Sequence, residues 1–435
     1  MTDQIFNSPD ELLRSLNFCV IDLETTGGNF ETEKIIEVGM VRVENRVITE
    51  ERNFLINPDK EIPDFVQKLT GIKKADVSHA PKIEEVIDEI TQFIGDSILV
   101  AHNTSFDVPF MNGVLKQLGR PTLDNKVICT NIMTKYMIPE IMSSNLSYMS
   151  SIFGISHSNA HRAVEDARAT ANLLLKYLEI FERKNIRKVN QLYYPRNKFE
   201  LDRAVFDPED GLEAVYSTLE KLDRPTVLTV KGDNGVILSI LPIKNPKEEL
   251  ASLKTYLSDF RWGQINVRLC GPFLEALFFL NNNFIKIPEV YRKRTLDYLK
   301  DHHQITKTEL ETDFDFIITP HLISGQFMVW SFLNFNSYSQ LIFKYPAHKK
   351  KLHQFLLGQI NRYENIQKGK RKAFIQNDLR PIFLSVFYQS LEESSDLYLK
   401  VSMSEIKDEK KIYQTRIEQL AEKYPDQYRF PTNYL

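Results

Sequence analysis

The chain has 435 residues, 42% of them hydrophobic and 26% charged, with a formal net charge of −3. That length exceeds one ordinary core, so two or three domains are expected; the composition is that of a globular protein, and no apolar run approaches the roughly 20 residues a membrane helix needs. The net charge conceals an asymmetry, since Lys and Arg set against Asp and Glu give −9 over residues 1–180 and +6 over residues 181–435.

Strand and helix signals alternate through the first 180 residues. FCVIDLE (18–24) reads as a buried strand, and IIEVGMVRV (35–43) and VITEERNFLI (47–56) as a hairpin turning at Glu44-Asn45-Arg46. Ile83, Val86, Ile87, Ile90, Phe93 and Ile94 recur at helical spacing between Pro81 and Gly95. SILVAHN (97–103) follows as a short strand, and Phe110, Met111, Val114, Leu115 and Leu118 mark a helix that stops at Gly119. A last helix is expected from about Ala163 to Glu182, with Val164, Ala167, Ala171, Leu174 and Leu178 on one face. This pattern predicts an α/β domain over 1–182, a mixed sheet flanked by helices. FERKNIRKVN (181–190) reads as its exit, and 183–435 as an α+β domain.

In that second domain GLEAVYSTLEKL (211–222) is predicted helical, and residues 226–243 form a strand pair around Gly-Asp-Asn-Gly. FDFIIT and GQFMVWSFL suggest a second strand pair, before helices near 349–365 and 408–423. Residues 344–372 hold nine Lys or Arg against one Glu, with Tyr345, Phe355 and Tyr363 interleaved. Phosphate contact and base stacking need that combination, which makes Lys349, Lys350, Lys351 and Arg371 candidate nucleic-acid contacts. The alternative is a solvated helix face with a basic tail. Arg292-Lys293-Arg294 forms a smaller basic cluster on a predicted helix, and His302-His303 reads as surface.

Three segments supply four carboxylates and a histidine. In Asp22-Leu23-Glu24-Thr25-Thr26-Gly27, strand periodicity puts Asp22 and Glu24 on one face. Hard oxygen ligands with no cysteine or paired histidine select Mg²⁺ or Mn²⁺, although solvated strand ends also carry paired acids. In His102-Asn103-Thr104-Ser105-Phe106-Asp107, Pro109 belongs in a first helical turn, so Asp107 is expected at or just before a helix N-terminus. Asp107 could equally be an N-cap there, with His102 packed at the strand end and Phe106 in the core. In His161-Arg162-Ala163-Val164-Glu165-Asp166, five residues turn a helix by about 500°, so the histidine and aspartate cannot share a helical face. His161 is therefore expected on the loop before the helix and Asp166 within it. Ala163, Ala167, Ala169 and Ala171 let that helix lie close to the sheet.

D-x-E-T-T-G, H-N-x-x-F-D and H-x-A-x-x-D-A, in this order, resemble the DnaQ-like (DEDDh) exonuclease family, which has a ribonuclease-H-like fold; about 160 residues are covered. The resemblance implies that Asp22, Glu24, Asp107 and Asp166 hold two Mg²⁺ ions, with Mn²⁺ able to substitute, and that His161 is the general base. Asp22 is the expected bridging ligand, and an ordinary histidine titrates near neutrality, where it can take a proton from water. Thr25 and Thr26 are expected to hold the terminal nucleotide. The implied activity is 3′→5′ release of nucleoside 5′-monophosphates, with DNA preferred, in repair, replication or proofreading. An RNA-trimming exoribonuclease and a non-catalytic nucleic-acid platform are the alternatives. The expected partner is a single-stranded 3′ end, and the second domain binds nucleic acid or a protein; no family resemblance is found there. Gly28 departs from the bulky residue that often follows T-T-G, and Cys129-Thr130 stands where an aspartate is common. His79 and His157 fit no role in this scheme. The acidic start MTDQIFNSPDELLRSLNF has no signal-peptide core, and Cys19, Cys129 and Cys270 match no zinc spacing, so a reducing, cytoplasmic setting is expected.

Overall fold

The computed structural model describes residues 16–157, 159–184, 186, 200–306, 314–323, 325–333, 339–365, 378–408 and 412–423. The chain divides into two compact units, residues 1–200 and 201–435.

The first unit is built on strands β1 (Phe18–Thr25), β2 (Ile35–Glu44), β3 (Val47–Leu55), β4 (Ile98–Ala101) and β5 (Val127–Cys129), in sheet order β3-β2-β1-β4-β5. β1 to β3 are antiparallel neighbours, and β4 and β5 run parallel to β1. The β2–β3 turn places Asn45 and Arg46 at φ 50° and 64°, as a two-residue hairpin matching the strand twist requires. Helices α1 (Asp64–Thr70), α2 (Lys74–Val77) and α3 (Ile83–Ile94) lead from β3 to β4. Then come α4 (Thr104–Gln117), α5 (Thr130–Met137), α6 (Leu146–Phe153) and α7 (Ala163–Arg183). This is the ribonuclease-H-like arrangement, a five-stranded mixed sheet with helices on both faces.

Strand alternation sorts the β1 side chains. Cys19, Ile21 and Leu23 join Val38 and Met40 in a core completed by α3 and α4. Asp22 lies opposite Gly39 and Glu24 opposite Glu37, so these four occupy the other face, which α7 covers. β4 pairs only with Phe18 to Val20, so the last residues of β1 outrun their neighbour and leave a free backbone edge.

The second unit contains two antiparallel sheets. Strands β6 (Arg203–Phe206), β7 (Thr226–Lys231), β8 (Ile237–Ile243) and β9 (Gln264–Leu269) are ordered β6-β9-β7-β8. Strands β10 (Phe316–Pro320), β11 (Gln326–Ser331), β12 (Ser339–Lys344) and β13 (Leu399–Val401) are ordered β12-β11-β10-β13. Ile317, Met328 and Trp330 pack into a core with helices Phe273–Asn283 and Arg380–Glu393. Phe316, Ile318, Phe327 and Val329 face helices Lys349–Asn365 and Ile412–Lys423 instead. Burial on both faces explains why these strand sequences read as unbroken apolar runs.

Candidate active site

The acids converge where β1 outruns β4. Asp107 sits inside the first turn of α4, because that helix begins at Thr104, earlier than Pro109 suggests. It is no N-cap. Its Oδ1 accepts the Leu23 backbone N–H at 3.2 Å, taking up the free edge of β1. Asp166 lies in the first turn of α7, and His161 precedes the helix with φ 66°, so the expected separation of the two holds. The His161 N–H donates to Asp166 Oδ2 at 3.3 Å. Glu24, His161 and Asp166 each bring a ligand atom within 4.8 Å of the others.

The electrostatics are those of a cation site. Burial pushes the Glu24 carboxyl up to about 8, reinforced by Asp166, Glu37 and Asp107. Burial lifts Asp107 to about 7 against two backbone hydrogen bonds that lower it. Asp22 is raised well above the carboxylate range, first by burial and then by Asp107, Asp166, Glu24 and Glu37. Acids so crowded hold protons at neutral pH unless a positive charge replaces them. The donor set is all hard oxygen apart from one histidine, which fits a divalent cation such as Mg²⁺ or Mn²⁺.

Three residues that shape this site stand outside the sequence motifs. Glu37 is fully buried, and its carboxylate accepts from Arg162 Nε at 3.2 Å and Nη2 at 2.8 Å, from the Ala163 N–H at 2.9 Å and from Asn53 Nδ2 at 2.9 Å. Burial alone would raise it, but these bonds hold it below its ordinary range. Glu37 thus ties β2 to the two residues that follow His161. Its sequence signal is a lone acid inside an apolar strand. Gly39 is the second: a Cβ there would lie 2.1 Å from the Ala163 carbonyl carbon, so glycine as well as the alanines of α7 sets the close helix–sheet approach. The third is His157, whose Nε2 lies 2.6 Å from Asp166 Oδ1.

The neighbouring candidates divide. His102 bridges Thr130 Oγ1 at 2.9 Å and the Ser144 carbonyl at 2.7 Å, and burial lowers its pKa, so it is a neutral brace at the end of β4. Phe106 packs on Phe110, in the core as the alternative reading had it. Thr25 Oγ1 donates to the Gly27 carbonyl at 2.8 Å. Thr26 turns its hydroxyl to Glu33 Oε2 at 2.5 Å, and Lys60 holds the same oxygen at 2.8 Å. Both hydroxyls therefore serve the loop, and the Thr26 N–H donates to the Lys34 carbonyl at 2.8 Å. Phe30, which the motifs pass over, anchors that loop against Gly113 and Phe110.

In the second unit Tyr345, Phe355 and Tyr363 are half-buried and pack against the core. Lys350 and Lys351 are exposed, whereas Lys349 pairs with Glu418 at 3.6 Å. Arg371 lies outside the described residues. His302 stacks on Tyr298 at 4.1 Å and His303 is half-buried beside Phe273, so that pair is packed rather than surface. Among the described residues no helix is long and apolar enough to cross a membrane.

Residues 19–174 match the exonuclease family RNase_T. The chain is 37% identical over 239 residues to a DNA polymerase III PolC-type of Caldanaerobacter subterraneus, covering 51% of this chain and 17% of that protein. It is 36% identical over 185 residues to a 3′-5′ exonuclease DinG of Staphylococcus epidermidis, covering 42% of this chain and 20% of the relative. The matches thus span about a fifth of these relatives' lengths. A solved structure of Exonuclease X in complex with 5′ overhanging duplex DNA is 26% identical, with a TM-score of 0.31, and covers 39% of this chain and 93% of that one.

Proposed function

We propose that residues 19–174, which match the exonuclease family RNase_T, form a 3′→5′ exonuclease domain of the DEDDh type, and that the chain shortens single-stranded DNA from its 3′ end during repair, replication or proofreading, releasing nucleoside 5′-monophosphates. The observation that carries this reading is the convergence of Asp22, Glu24, Asp107 and Asp166 with His161 where β1 outruns β4. When bound there, two Mg²⁺ ions would supply an activated water and stabilise the attacking and leaving oxygens. Asp22, Glu24, Asp107 and Asp166 would hold them, and the exposed His161 ring would take the water's proton. Thr25 and Thr26 hold the terminal nucleotide. Lys350 and Lys351, with a lesser part for Lys349 and with Arg371, contact the phosphates of the longer strand. The names of the relatives, a DNA polymerase and a 3′-5′ exonuclease, support DNA over RNA.

The test is digestion of end-labelled single-stranded DNA, duplex DNA and RNA oligomers side by side, with Mg²⁺ or Mn²⁺ and with EDTA. Stepwise loss from the 3′ end of DNA is expected, abolished by EDTA and by Asp22→Ala. Preference for RNA would move the reading to an RNA-trimming enzyme, and full activity in EDTA would overturn the metal site. Binding without hydrolysis in either metal would leave a non-catalytic platform.

A further inference from the structure

The proposed chemistry leaves one enclosed histidine without a role. His157 stands between α6 and α7, with its side chain 4% exposed and that of Asp166 13% exposed. Its Nε2 lies 2.6 Å from Asp166 Oδ1, and its Nδ1 lies 3.4 Å from the Ser147 hydroxyl on α6. A carboxylate that ligates a cation only accepts, so in the metal-bound site Nε2 is the nitrogen that carries the hydrogen. Among the described residues Asp166 Oδ2 meets only the longer His161 N–H bond, at 3.3 Å, and keeps lone pairs available. The two oxygens therefore differ, one gripped and one available.

We infer that His157 is a positioning residue of the metal site: by gripping Oδ1 it fixes the rotation of the Asp166 carboxylate, so that Oδ2 is the oxygen offered to the divalent cation. This rests on the reading of Asp166 as a metal ligand. Asp166 stands in the first turn of α7, where its side chain can adopt more than one rotamer. His157 limits that freedom from outside the helix, and the Ser147 hydroxyl steadies the ring. Partners of this kind, one bond removed from the ion, typically change metal affinity 10- to 100-fold.

The experiment titrates Mn²⁺ into the full chain by calorimetry and measures kcat and KM on a short oligonucleotide. His157→Leu should weaken Mn²⁺ binding by about 10- to 100-fold and lower kcat while KM changes little. His157→Gln, whose amide can donate from the Nε2 position, should recover most of both. The thermal midpoint without metal reports whether each variant folds. If His157→Leu does not, His157→Asn, too short to reach Oδ1, replaces it. Equal Mn²⁺ binding by the wild type and Asp166→Ala would remove the ligand reading itself. If Asp166→Ala loses Mn²⁺ but His157→Leu binds it like the wild type, the positioning role alone is overturned. Tighter binding by His157→Leu would make His157 a competitor of the metal, and equal loss in the Leu and Gln variants would point to ring packing rather than donation; either overturns the inference.

Discussion

Raising the pH of the metal-free protein should destabilise it. Glu24 moves from an ordinary 4.5 to about 8, by burial and then by repulsion from Asp166, Glu37 and Asp107, and Asp107 moves from 3.8 to about 7 by burial. The folded state therefore binds more protons than the unfolded chain between about pH 4 and pH 8, so stability is greatest below the unfolded values and falls as pH rises through the folded ones. At about 1.4 kcal/mol per pH unit, each carboxyl taken alone would remove roughly 4–5 kcal/mol once ionised. The two shifts are not additive, so the loss of one carboxyl, about 4–5 kcal/mol, is the working figure for the pair. For a unit of this size that is a fall in thermal midpoint on the order of 10 °C. The assay is thermal unfolding in EDTA at steps from pH 5 to pH 9, repeated with excess Mg²⁺ and with Asp22→Asn. The midpoint should fall with pH in EDTA, recover with Mg²⁺ and fall less in the variant, which has lost the acid that all the others repel. A midpoint that rises between pH 6 and pH 8 in EDTA, or a variant that follows the wild-type curve, would refute the argument.

Glu37→Ala should cost about 3 kcal/mol in urea denaturation, since it strips a buried carboxylate from Arg162 and the Ala163 N–H. Turnover should fall with it, and unchanged turnover would show that the loop carrying His161 is held by other contacts. Gly39→Ala should push the start of α7 off the sheet, lowering single-turnover rates by roughly 100-fold with an intact fold by circular dichroism; wild-type rates would mean that the helix end yields freely. Replacing Lys350 and Lys351 by glutamine should flatten the salt dependence of single-strand binding by about 0.7 in slope for each phosphate that is no longer neutralised, whereas Lys349→Gln, already paired with Glu418, should change it less. Equal slopes would assign the second unit to a protein partner.

Periodicity made the hairpin, α3 and α7 legible, because each has one long amphipathic or alternating pattern. β5 is three residues long, and α5 and α6 are eight-residue helices, too short for a period to emerge. Asp22, Glu24 and Asp166 declared themselves through spacing. Glu37 did not, because it acts on residues distant in sequence, and His157 did not, because its nine-residue separation from Asp166 crosses a loop and follows no helix or strand period. The aromatics of the basic helix were ambiguous for a related reason: the 3.6-residue period that places Phe355 among lysines also turns part of it toward the core.

The brevity of β4 has a consequence for how this domain could be altered. A sheet gains stability by completing its ladder, yet the acids gather where the ladder stops. Extending β4 so that it pairs with Leu23 would add backbone bonds at the expense of the hydrogen bond to Asp107. A variant chosen only for resistance to heat would drift toward that closure. It would become a sturdier protein in which the cleft has been knitted shut, so selection for stability must here be run with a count of released nucleotides beside it.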